Sequence, residues 1–126
     1  MEITTEKIIE IQIRIIRQSS RSEDLGFAGV IRDAGTLDYI VSAGTRQPNT
    51  IRKASWFLFK IASSHPFFQG NKRTALLTAL LILKLDPNAY QINCSDEEIA
   101  EFVEKISRYE SSLEEVEQWI EEKINL

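Results

Sequence analysis

Lys72 to Leu85 carries apolar side chains on nearly every side of a helical wheel, and this stretch constrains the fold more than any other. A surface helix keeps one polar face, whereas a helix without one has to be covered by neighbours. Its longest apolar run, Ala75 to Leu83, contains Thr78 and stops at Lys84, well short of the roughly 20 residues needed to cross a bilayer. The segment is therefore expected to be the central, buried helix of a bundle, and the chain an all-α protein. With 126 residues and 43% hydrophobic content, the chain can enclose one core and is too short for two, so residues 1–126 are read as a single domain.

The flanking segments supply the neighbours. Thr4 or Thr5 can cap a first helix whose isoleucines at 8, 9, 11, 13, 15 and 16 fill one broad face, ending near Ser19 or Ser20. Asn49 or Thr50 can cap another, which carries Trp56, Phe57, Phe59 and Ile61 and stops by His65, because the residue before Pro66 avoids the helical region. Ser95 with Glu98, and Ser112 with Glu115, form capping-box patterns ahead of apolar residues at helical spacing, so two further helices close the chain. Between Ser19 and Asn49 lie four of the five glycines, and only Leu37 to Val41 suggests a short helix there. Strand signals are confined to Ala89–Asn93 and Phe27–Ile31, enough for one small β-hairpin.

Charge and cysteine content exclude several classes of function. The formal net charge of −4 is spread unevenly: residues 94–126 hold eleven of the nineteen acids but three of the fifteen bases. This acidic end reads as a solvated face, and no basic run with interleaved aromatics is present, so no nucleic-acid partner is expected. The single cysteine, Cys94, cannot form an internal disulfide, and no charged-then-apolar leader is visible at the N-terminus. A cytoplasmic protein without membrane association is the expectation.

The segment from His65 to Thr74 carries the chemistry. It places the only histidine, a glycine, an asparagine and two consecutive cations in a turn that opens directly into the apolar helix. A helix N-terminus presents unpaired N–H groups and about half a positive charge, and Gly70 lets a phosphate approach without a side chain in the way. Lys72 and Arg73 add cationic donors. Imidazole exchanges a proton at neutral pH, so His65 at the rim of an anion-binding turn is placed to activate an incoming hydroxyl. Phe67 reads as a core anchor for the turn. Spacing alone also allows that His65 merely ends a helix before a proline and that Lys72 and Arg73 form a solvated face.

The sequence His65-Pro-Phe-Phe-Gln-Gly-Asn-Lys-Arg-Thr-Ala75 resembles the signature of the Fic/Doc superfamily, His-x-Phe-x-(Asp/Glu/Asn)-(Gly/Ala)-Asn-(Gly/Lys)-Arg. Gly29 to Leu37, with its Arg32-Asp33 pair, and Arg46-Gln-Pro48 resemble further stretches common in death-on-curing (Doc) proteins. The resemblance implies a compact Fic/Doc helical bundle that uses ATP with Mg²⁺. It implies His65, Lys72 and Arg73 as catalytic residues, and Gly70, Asn71, Lys72 and Arg73 as nucleotide-phosphate ligands. Lys72, where adenylylating members carry glycine, is the mark of the Doc branch, whose best-understood member is a toxin kinase that phosphorylates a threonine of a translation elongation factor. Leu76 stands where the adenylylating motif has a later arginine. The implied reaction is transfer of the γ-phosphate of ATP to a Ser or Thr hydroxyl of a protein target, with Fic-type AMP transfer as the alternative.

Gln69 departs from the pattern. The family's acid at this place helps to hold Mg²⁺, and a neutral amide oxygen is a poorer ligand for that hard cation. A third reading follows, a catalytically silent module that only binds nucleotide or antitoxin. No inhibitory Ser/Thr-x-x-x-Glu-Gly/Asn element is read, since Ser19 to Glu23 has the spacing but runs into Asp24. A separate antitoxin protein is therefore the expected partner.

Overall fold

The helices start where short polar side chains can take up their first free N–H groups. The computed structural model of the protein describes residues 2–125. Its helices are α1 (Thr5–Gln18), α2 (Ala34–Gly44), α3 (Thr50–Ser64), α4 (Asn71–Leu85), α5 (Asp96–Ser107) and α6 (Leu113–Lys123), with a 3-10 turn at Ser22–Asp24. Thr4 accepts from Lys7 N, Asp33 from Thr36 N, Asn49 from Arg52 N, Ser95 from Glu98 N and Ser112 from Glu115 N, each cap contributing about 1 kcal/mol. Only α4 begins at a glycine, Gly70, with no side-chain cap. Of the two expected capping boxes, Ser112–Glu115 is complete. Glu98 instead reaches Lys123 Nζ at 3.2 Å, tying α5 to the end of α6. The short helix expected over Leu37–Val41 extends to eleven residues because Asp33 starts it early.

The protein is all-α, as the apolar patterning required, but its hub lies one helix earlier than expected. α3 packs against α4, α6, α2 and α5, and α4 against α3, α1 and α5. Ala54 to Leu58 are five consecutive buried residues, whereas on α4 Leu77 is 45% exposed. The difference arises because serine can be buried in a helix at little cost: Ser55 Oγ donates to Ile51 O at 2.7 Å and Ser63 Oγ to Phe59 O at 2.6 Å. The buried face of α4 is made of small residues, Thr74, Ala75, Thr78 and Ala79, alongside Ile82 and Leu83, which brings its axis close to α3. Gly44 serves the same end on α2, since a Cβ there would lie 2.4 Å from the Phe57 ring.

The expected hairpin does not form. Within Ala89–Asn93, Gln91–Ile92 is indeed a strand (β1), but it pairs antiparallel with Ile124–Asn125 (β2) at the far end of the chain. Phe27–Ile31 contributes one bridge, from Ile31 to Phe67. Residues next to one another in sequence at these places are occupied in turns, so the pairing is long-range and leaves no local pattern. Among the described residues no helix is long and apolar enough to cross a membrane.

Candidate active site

α3 ends at His65, which adopts the left-handed conformation with φ 52° and ψ 61°, its N–H still donating to Ile61 O at 3.3 Å. For a non-glycine residue this conformation costs on the order of 1 kcal/mol, so the surroundings must hold it. It reverses the chain so that Pro66 and Phe67 return beneath the helix end, and Phe67 is 1% exposed, the anchor that its place in the motif suggested. The imidazole is left half-buried with the Tyr109 ring edge-on at 6.3 Å.

The four residues after Phe67 form a loop held from two sides. Asn71 Oδ1 accepts from Phe67 N at 2.9 Å while Asn71 Nδ2 donates to Phe67 O at 2.8 Å. The Asn71 side chain thus closes the loop on itself, and what this residue leaves for an anion is its N–H at the start of α4. From the other side, wholly buried Gln12 of α1 donates through Nε2 to Gln69 O at 3.1 Å and to Phe27 O at 3.0 Å, and accepts from Gly29 N at 2.7 Å. Gly70 follows with φ 82°, and a Cβ there would lie 3.2 Å from Ile16 Cδ1. The loop needs glycine on both counts, and its path leaves the first N–H groups of α4 uncapped, with the positive end of the helix dipole behind them.

Both expected cations are present at this helix start, and each meets a carboxylate from a distant part of the chain. Lys72 Nζ pairs with Glu104 on α5, and the hydrogen bond from Lys72 together with its charge holds the Glu104 carboxyl below the usual carboxylate range. Arg73 Nη2 lies 2.9 Å from Asp24 Oδ2. Burial of Asp24 would raise its carboxyl's pKa, but the Ser19 hydrogen bond and the Arg73 and Arg21 charges outweigh this and bring it below the ordinary value. Asp24 is 1% exposed and fixes Arg73 from below, whereas the Lys72–Glu104 pair is exposed enough to open at little cost.

These parts surround one cleft of about 450 Å³, lined by His65, Gln69, Gly70, Lys72 and Arg73 on one side and by Ala100, Val103 and Glu104 of α5 on the other. Arg21, Phe68, Asn71 and Leu76 complete it. The size suits a nucleotide-sized ligand. A family model described as the Fic/DOC family matches residues 2–83, more than half of the chain. The chain belongs to the Fic/Doc family. No curated protein matches it. The matched span of this Fic/Doc chain runs from α1 into the last turn of α4, so the α5 wall of the cleft is contributed from outside it.

Fic/Doc proteins are in general transferases acting on proteins and typically bind ATP with a metal. The residues here fit the first part of that requirement: an uncapped helix start and two cations are what phosphate oxygens need. They do not by themselves build a magnesium site. Gln69 offers a neutral oxygen at the expected place, and among the described residues no group of three His, Cys, Asp or Glu side chains comes together as a metal site. Gln12, Asp24 and Glu104, none of which the sequence singled out, complete the site. Only Gln12 left a trace, as an amide inside a stripe of isoleucines.

Proposed function

We propose that this Fic/Doc chain is a Doc-like toxin kinase that transfers the γ-phosphate of ATP to a Ser or Thr hydroxyl of a cytoplasmic protein, a translation factor by resemblance. The observation that carries the reading is Lys72 at the uncapped start of α4, in the cleft that His65 also lines. A lysine at this point can neutralise a terminal phosphate where a glycine would leave room for a nucleotide lying the other way.

In the proposed step the target hydroxyl oxygen attacks the γ-phosphorus, His65 takes the hydroxyl proton, and the bond from the γ-phosphorus to the bridging oxygen breaks. ADP leaves with that electron pair. Lys72, Arg73 and the N–H groups of Gly70 and Asn71 offset the phosphate charge, and no step is assigned to a metal. Because phosphoryl transfer depends mainly on positioning and charge stabilisation, a site with this little covalent machinery is sufficient.

ATP labelled separately at the α and γ positions tests the reading. Label on the target from γ alone is the expected result, and label from α would replace the kinase by an adenylyltransferase at the same site. Gln69 supports a second reading, a silent module that binds nucleotide or an antitoxin without turnover. Gln69→Asp separates the two, since a large gain of transfer over an inactive native chain would mark the native chemistry as impaired. A separate antitoxin is proposed to restrain the protein by laying a helix or extended segment across the cleft. Co-expression of the product of a neighbouring small reading frame should then relieve growth arrest caused by this chain.

A further inference from the structure

Residues 31–33 grip the turn that carries His65, although they lie more than thirty positions earlier in the chain. Arg32 N donates to Pro66 O at 2.7 Å, Asp33 N donates to the same oxygen at 3.1 Å, and Ile31 bridges Phe67. The Arg32 side chain then closes over the helix end: Nε donates to His65 O at 2.6 Å and Nη2 to Ser64 O at 2.8 Å. Carbonyls in the last turn of a helix lack helical partners and carry the negative end of its dipole. Arginine presents its N–H groups in a fixed, permanently charged fork that can serve two neighbouring oxygens at once, which a lysine ammonium cannot match.

The left-handed backbone of His65 is uphill for a residue with a side chain, and the Arg32 fork bonds to the carbonyls on both sides of that residue's dihedral angles. Arg32 does not line the cleft. We propose that Arg32 is a positioning residue for His65, which locks the left-handed turn and thereby aims the imidazole at the start of α4 without touching nucleotide or acceptor. The inference rests on His65 being the base of the reaction proposed above, but not on which group is transferred.

The test uses Arg32→Ala and Arg32→Lys in the full chain. His65 is the only histidine, so protein grown with nitrogen-15-labelled histidine reports one imidazole. In Arg32→Ala its resonances should broaden or split into several environments, and kcat should fall by about tenfold or more, because small misplacements of a catalytic group are that costly. Nucleotide Kd should stay within about twofold of the native value, since uniform binding is not what the residue supplies. Arg32→Lys, which keeps the charge but loses the fork, should fall between the two, and it carries the comparison if the alanine variant does not fold. Native imidazole resonances with native kcat in both variants would overturn the proposal. So would a parallel loss of kcat and nucleotide affinity with an unchanged imidazole, which would place Arg32 at the phosphate site. A native chain that transfers nothing would defeat the kinase reading alone, and the imidazole spectrum would still decide for or against Arg32.

Discussion

Replacing Gln12 by methionine removes the one polar side chain buried within α1 while keeping its length. Methionine fills a similar volume, so little cavity is created and the loss is almost entirely of hydrogen bonds. Two backbone groups lose their partner at once, the Gln69 carbonyl and the Gly29 N–H, while the Phe27 carbonyl loses one bond and keeps the other, from Val30 N at 3.1 Å. Each group left unpaired in this part-buried setting costs about 1–3 kcal/mol, and part of that is recovered as the loops shift towards water, so a total of about 2–4 kcal/mol is expected. This is a large share of the roughly 5–15 kcal/mol that holds an ordinary domain together. In a chain of this size it should lower the melting temperature by about 6–16 °C. Urea unfolding followed by circular dichroism measures the first figure, and hydrogen exchange at the Gly29 amide reports whether that N–H has been released. Stability within about 1 kcal/mol of native, with Gly29 as protected as before, would refute the reasoning and show that the loops are held by other contacts.

Three further outcomes follow from the same geometry. His65→Ala should lower transfer by at least about a hundredfold while leaving the melting temperature close to native, because the half-buried ring contributes little packing beyond its edge contact with Tyr109. Glu104→Gln frees Lys72 from its carboxylate and should tighten nucleotide binding by about two- to fivefold at low salt, as titration calorimetry would show; unchanged affinity would mean the pair opens without cost. Asp24 has its carboxyl held below the ordinary value of 3.8 in the folded chain, so it contributes stability that is present above that value and lost as pH falls through the lowered one. The stability difference between the native chain and Asp24→Asn should therefore be widest near neutral pH and close in strong acid, measured by urea unfolding at stepped pH.

The patterning of the chain gave the helices because local side chains decide where they begin and end. Thr4, Asn49, Ser95 and Ser112 cap the helices they were expected to cap, and Pro66 stops α3 at His65. The hub was misplaced by one helix because Ser55 and Ser63 look polar in sequence yet satisfy themselves within α3. The hairpin failed because strand pairing is a long-range choice, made here between Gln91–Ile92 and Ile124–Asn125.

What the sequence determined by itself is the make-up of the candidate site: His65, the glycine turn, and Asn71, Lys72 and Arg73 at a helix start, all within ten consecutive residues. Those groups are near one another whatever the rest of the chain does, because covalent connection and the start of α4 bring them together. Only the tertiary structure decided what holds them. Gln12 from α1, Asp24 from the 3-10 turn, Arg32 from the segment before α2 and Glu104 from α5 reach the same few residues through hydrogen bonds and ion pairs that leave no mark in local spacing. Such contacts depend on how helices pack, and packing brings together residues as far apart as Arg32 and His65, or Lys72 and Glu104.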